Sequence, residues 1–186
     1  MKGLMPLGLI LFCHLSFPTV SNAQTGANKN RLLRYDDIDG YQVLSTVIDA
    51  RANEVKGESV SIFHQTVSGD AVRGVRSQCA GSIPAEFQGA AEDFDKKAKT
   101  RLLLMERFSL QKKYRFVGGP TSHSLGVFSV SAVGFDETKT RAIVLVEYLV
   151  HPTNSIVGGE TTFHLLRKTA TGWKEVTEIP KCGRIY

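Results

Sequence analysis

Residues 127–151, VFSVSAVGFDETKTRAIVLVEYLVH, are two apolar runs joined by the short polar link Asp136–Thr140. A link this short closes an antiparallel hairpin, because parallel neighbours need a crossover of a dozen or more residues. In the second run Ala142, Val144, Val146, Tyr148 and Val150 alternate with Ile143, Leu145, Glu147 and Leu149. Successive side chains point to opposite faces of a sheet, so both faces of this strand are largely apolar. That pattern predicts a central strand, covered by helix on one side.

Working outward, ETTFHLLRKT (160–169) and WKEVTEI (173–179) are separated only by Ala170, Thr171 and Gly172 and extend the hairpin into a C-terminal meander. YRFV (114–117), which runs into a Gly-Gly-Pro turn, and SVSIFHQTV (59–67) are further strand candidates. Two helices are predicted. Asp39 and Gln42 form a capping box ahead of Tyr41, Leu44, Val47 and Ile48 at helical spacing, in a helix that ends by Gly57. Pro84 suits a first helical turn, and Phe87, Ala91, Phe94, Ala98, Leu102, Met105 and Phe108 trace one stripe of a helix running to about Phe108. Acids cluster early in that segment and bases late, as the helix dipole favours. The expected fold is α+β: an antiparallel four- to five-stranded sheet with two main helices packed on it.

The N-terminus reads as a secretory signal peptide over residues 1–23, with Lys2, a short apolar run and small residues before a cleavage point after Ala23. Residues 24–38 read as a flexible leader, and 39–186 as a single domain. No later run is long and apolar enough to span a membrane, so export to the periplasm or the outside is expected. The whole chain carries a formal charge of +5, and losing Lys2 lowers it by one. The basic runs lie beside acids and apolar helix positions, which points to a solvated helix face and away from nucleic acid. Cys79 and Cys182 survive processing, and an even count in an exported chain predicts a disulfide between them.

Chemistry-bearing motifs are sparse. Ile156-Val157-Gly158-Gly159 resembles the start of an activated trypsin-like protease, yet only residues 156–186 follow it, too few for the two barrels that carry such a triad. His64, His151 and His164 fall on or beside strands and could converge across a sheet, but no local spacing of metal ligands accompanies them, so no metal or other cofactor is expected. Glu147 is the most interesting acid, because its strand is otherwise apolar and burial raises a carboxyl pKa. No glycine-rich phosphate loop is present.

SVSAVGFDETKTRAIVLVEY (129–148) and GGETTFHLLRKTATGWKEV (158–176), with YQVLSTVID (41–49) and AEDFDKKAKTRLLLMERFSLQKKY (91–114), resemble a family of exported bacterial proteins. Its pattern is a small-x-Val-Gly-Phe-Asn/Asp strand, a polar turn, an Ala-hydrophobic-Val strand and a Gly-Trp-Lys hairpin. The resemblance covers most of residues 41–179 and implies export and this strand order; it supplies no catalytic residue. Some relatives carry cysteines and glycines around the segment that reads YLVHPTNSIVGGE here, and this chain has none of those cysteines.

These readings lead to an exported, non-enzymatic domain that binds a protein partner or a small ligand. A small hydrolase or lyase of cystatin-like or NTF2-like type is the alternative, with Glu147 and a strand histidine as an acid–base pair. An inhibitor or immunity-type protein, docking through the hairpin tip at 152–160, is the third.

Overall fold

The ten-residue strand Arg141–Val150 runs through the middle of the sheet. A computed structural model describes residues 32–53, 58–118, 126–150, 158–178 and 181–185. The expected signal peptide, most of the leader, His151 and hairpin-tip residues 152–157 lie outside the described residues.

In chain order the elements are β1 (Leu33–Arg34), α1 (Ile38–Ala52), β2 (Ser59–Phe63), α2 (Asp70–Gln78), α3 (Gln88–Lys97), β3 (Leu102–Leu103), β4 (Lys113–Val117), β5 (Val127–Val130), β6 (Gly134–Phe135), β7 (Arg141–Val150), β8 (Gly158–Thr169), β9 (Gly172–Glu175) and β10 (Cys182–Ile185). Among the described residues, eight strands form one mixed sheet in the order β10-β8-β7-β5-β2-β4, with β6 also on β7 and β9 also on β8. β1 and β3 form a separate parallel pair.

The C-terminal pairings are antiparallel, with β5 and β6 on β7, β7 on β8, and β8 on β9 and β10. The link between β6 and β7 is locked by Asp136, whose Oδ1 accepts from the N–H groups of Thr140 and Arg141 at 2.7 and 2.8 Å. The expected four- to five-stranded, wholly antiparallel sheet is corrected elsewhere. β2 lies between β4 and β5 and pairs parallel with both. β2 supplies apolar Val60 and Ile62 on one face and separates β4 from β5.

Between β5 and β6 the chain bulges away from the ladder, and the backbone at Ser131–Val133 is fully buried. Buried polar groups need partners, and side chains provide them. Ser131 Oγ accepts from Leu145 N–H at 2.9 Å, Tyr35 Oη accepts from Val133 N–H at 3.3 Å, and Lys97 Nζ donates to Val133 O at 3.1 Å. Burial pushes the Tyr35 phenol far above its ordinary pKa, so it stays a neutral hydroxyl.

Helices cover both faces of β7. Leu44, Val47 and Ile48 of α1 pack with Ile62, Phe128, Val144 and Leu166, whereas Ala91 and Phe94 of α3 pack with Ile143, Leu145, Phe163 and Leu165. The cap of α1 is Asp37, which accepts from Gly40 N–H at 3.2 Å, two residues before the expected Asp39. Asp39 pairs with Lys139 and Lys168 at 3.2 Å each, and their hydrogen bonds hold its carboxyl below the ordinary value.

The second helix is shorter than predicted. A 3-10 turn at Ala85–Phe87 leads into α3, which stops at Lys97, well before Phe108. The N–H of Gly69 donates to Ala98 O at 2.9 Å and satisfies a terminal carbonyl that further helix would have used. The later residues of the stripe pack on α1 instead: Phe108 meets Tyr41 edge-on at 5.1 Å, and Ser109 N–H donates to Ser45 Oγ at 3.0 Å. α2 was not expected. Its hydrophobic face is only Val72 and Val75, too short a pattern to register as helix.

Candidate functional site

α2 builds the site. It buries Val72 and Val75 against the β7–β8 face of the sheet and leaves a hollow beneath its N-terminal half. Gly69, with φ +75°, turns the chain into the helix; the positive φ is one that glycine adopts without strain. At the other end Cys79 is bonded to Cys182 of β10, with Cα atoms 5.7 Å apart. The structure therefore contains the disulfide, and the bridge fixes the C-terminal end of α2 to the edge strand.

The hollow has a volume of about 360 Å3 and is walled by Val67, Ala71, Val72, Val75 and Leu145. Glu147, Thr161 and Arg184 bring the polar groups to it. Their positions follow from register: Glu147 of β7 faces Thr161 of β8, and Thr161 faces Arg184 of β10, so the three form one row across three strands. Ser129 of β5 continues the row on the other side of Glu147. Thr161 Oγ1 donates to Glu147 Oε1 at 3.4 Å. Arg184 is exposed and makes no ion pair among the described residues.

A wider channel of about 610 Å3 opens on the far side of α2, and Val72 borders both spaces. Its rim charges are already paired: Arg73 with Asp70, and Arg76 with Asp95 at 3.3 Å. At its margin Ser77 Oγ donates to Gly74 O at 3.0 Å, Lys99 makes no ion pair among the described residues, and the buried Arg76 Nε lies beside Asp95 without a hydrogen bond.

His164 lies on the opposite face of the sheet, in a cleft of about 70 Å3 between α1 and β8. Its Nδ1 is 2.7 Å from Glu175 Oε1, which also accepts from Lys181 Nζ at 3.1 Å. Burial alone would raise the Glu175 carboxyl, but the hydrogen bonds and charges of His164 and Lys181 outweigh it and hold it at about 2. In the same cleft Arg51 pairs with Glu160 at 2.7 Å, and Thr162 Oγ1 donates to Glu160 Oε1 at 2.7 Å. Apart from the second ring nitrogen of His164, this cluster satisfies itself.

The structure does not bring Glu147 and His164 together, because adjacent residues of one strand face opposite ways and the register assigns these two to different faces. His64 is exposed, stacks on Phe116 with ring centres 5.1 Å apart, and lines a separate cleft of about 280 Å3. Sequence reasoning picked out Glu147 but missed its neighbours in the hollow. The available signal was Val72 and Val75 one turn apart just before Cys79, which marks a short tethered helix. Among the described residues no three His, Cys, Asp or Glu side chains gather as a metal ion would need, and no helix is long and apolar enough to cross a membrane.

No protein-family model matches the chain, and neither a curated protein nor a solved structure is significantly similar to it.

Proposed function

We propose that this chain is an exported, non-enzymatic domain that binds a small ligand in the hollow between α2 and the sheet. One observation carries the reading: an aliphatic-walled space on which a carboxylate, a hydroxyl and a guanidinium converge. Its volume of about 360 Å3 falls within the range of roughly 300–1,000 Å3 typical of ligand sites, which pair apolar walls with a few placed polar groups. Export to the periplasm or the medium is supported by the signal-like pattern of residues 1–23 and by the Cys79–Cys182 bridge, since disulfides persist in oxidising compartments.

Native mass spectrometry of protein recovered from the periplasm or medium tests this. Ala71 is exposed and borders the hollow, so Ala71→Trp fills the space without entering the core. A small-molecule adduct on the wild type that is missing from Ala71→Trp is the expected result. An adduct retained by the filled variant moves the site elsewhere, and bare wild-type protein under the same conditions overturns the reading.

The enzymatic alternative is favoured by a different carboxylate from the one the sequence suggested. Glu175 accepts from His164 Nδ1 and orients the ring, leaving Nε2 toward the cleft as a general base. Hydrolysis or elimination on a small substrate that is abolished in His164→Gln, with the fold unchanged, would favour this reading over binding.

A further inference from the structure

We propose that the cleft at the carboxyl ends of β2 and β4 binds a tetrahedral oxyanion, a phosphate group that is free or carried on a small ester. This second site is independent of the hollow under α2, although Val67 borders both.

The sheet positions it. β2 runs parallel to β4 and β5, so their carboxyl ends open on one side, where open α/β sheets hold their ligands. Phe63 faces Val117, and the rung after Ile62–Phe128 sets Phe63 beside Ser129. The three share one face and floor a cleft of about 280 Å3. Backbone bonds hold the chain that leaves β2. His64 N–H donates to Val117 O at 3.1 Å, His64 O accepts from Leu104 N–H at 2.9 Å, and Val67 N–H donates to Val130 O at 2.8 Å. Thr66 and Leu102 are clasped twice: Thr66 N–H donates to Leu102 O, and Thr66 Oγ1 accepts from Leu102 N–H, both at 2.9 Å. That clasp sets Arg101, the chain neighbour of Leu102, against the same cleft.

Polar side chains enter the cleft at two levels. Ser129 and Thr66, 4% and 1% exposed, lie deep in it. Buried hydroxyls normally have partners. Ser129 Oγ makes no hydrogen bond among the described residues, and Thr66 Oγ1, already an acceptor, keeps its proton to donate. At the mouth stand Arg101 and His64, both exposed. Arg101 makes no ion pair among the described residues, and the His64 ring, stacked on Phe116, offers an N–H. No carboxylate among the described residues lines the cleft. Glu147, which faces Ser129 from β7, accepts from Thr161 and borders the neighbouring hollow instead.

Donors at two depths, with no competing acid, fit an anion whose oxygens do not lie in one plane. A carboxylate that meets the arginine fork leaves the deep hydroxyls empty. A tetrahedral oxyanion turns two oxygens to the fork and the others to Ser129 and Thr66. With no carboxylate there to accept a proton from the ligand, sulfate should compete with phosphate.

The test is isothermal titration of the purified, disulfide-intact protein with inorganic phosphate, sulfate, glycerol 3-phosphate and acetate at one ionic strength, which holds screening constant. Saturable 1:1 binding of phosphate and sulfate, at least tenfold tighter than acetate, is expected. Glycerol 3-phosphate bound as tightly as phosphate or tighter identifies an ester as the source, and weaker binding identifies the free anion. Arg101→Met should weaken phosphate binding at least tenfold. Ser129→Ala, whose lost hydroxyl has no internal partner, should weaken it without lowering the urea midpoint, which separates a binding hydroxyl from a structural one. Phosphate held no better than acetate, or held equally by the wild type, Arg101→Met and Ser129→Ala, overturns the site. Ala71→Trp should leave phosphate affinity unchanged, so failure of the reading under α2 and failure of this one are seen separately.

Discussion

The ring of His164 and the carboxylate of Glu175 meet at 2.7 Å across the β8–β9 hairpin, with Lys181 on the same oxygen at 3.1 Å. Glu175 is ionised down to about pH 2 in the folded chain, against an ordinary value of 4.5. A carboxyl whose folded pKa is depressed contributes stability that is fully present above the unfolded value and is lost as pH falls through the folded one. The contribution of this cluster should therefore be intact above about pH 5 and fade between about 4.5 and 2. Urea midpoints measured across that window should fall more steeply for the wild type than for Glu175→Gln. Two parallel curves would show that the pair contributes nothing.

Cys79 ends α2 and Cys182 begins β10, 103 residues further along the chain. Closing a loop of that length restricts the unfolded chain by up to about 4.7 kcal/mol, and native small domains lose about 2–5 kcal/mol when such a bridge is removed. Cys79→Ala with Cys182→Ala should lower stability by that order in denaturant titration. Because α2 holds the sheet through Val72 and Val75 and little else, amide exchange in Asp70–Gln78 should rise more than in α1 or α3. Alkylation of denatured, unreduced protein purified after processing should find no free thiol.

The sequence was most legible where contacts are local. The alternation in 141–150 showed both faces of β7, and the links at Asp136–Thr140 and Ala170–Gly172 marked the antiparallel pairing of β6 with β7 and of β8 with β9. Tyr41, Leu44, Val47 and Ile48 gave the buried side of α1. Long-range choices were not legible. Nothing in SVSIF says that it slots between β4 and β5, because strand pattern records burial and not partners. The stripe from Phe87 to Phe108 kept helical spacing past the true end at Lys97, where a tertiary hydrogen bond from Gly69 stops the helix. The candidate site depends on both kinds of information. Glu147 was visible as a polar interruption in an apolar strand, while Arg184 joins it only through the pairing of β10 with β8.

Ser131 substitutes a side chain for a missing rung of the ladder. Its Oγ accepts from Leu145 N–H and donates to Ala132 O, both at 2.9 Å, in a fully buried setting. Ser131→Ala removes both bonds and leaves the buried N–H without a partner, at a cost of about 1–3 kcal/mol. Equilibrium unfolding should register that loss, and hydrogen exchange at Leu145 should quicken more than at Ile143. A neutral effect would mean that water enters the bulge and replaces the hydroxyl.

Gly134 and Gly74 make opposite predictions from one substitution. Gly134 of β6 faces α3 so closely that an added Cβ would overlap the carbonyl oxygen of Ala90 and the nitrogen of Phe94, both backbone atoms that cannot swing aside. Gly134→Ala must therefore push α3 off the sheet and disturb the contact of Phe94 with Phe163, whose rings lie 5.3 Å apart. Overpacking of this kind costs about 1–3 kcal/mol, and more where backbone must move. Gly74 sits inside α2, exposed, with nothing within 4 Å of the added carbon. There alanine only improves helix propensity, by about 1 kcal/mol. Thermal unfolding should show Gly134→Ala well below the wild type and Gly74→Ala slightly above it. The same order is expected for hydrogen exchange in α3, which Gly74→Ala should leave unchanged. If Gly134→Ala melts with the wild type, β6 and α3 do not approach as closely as the packing of Phe94 requires.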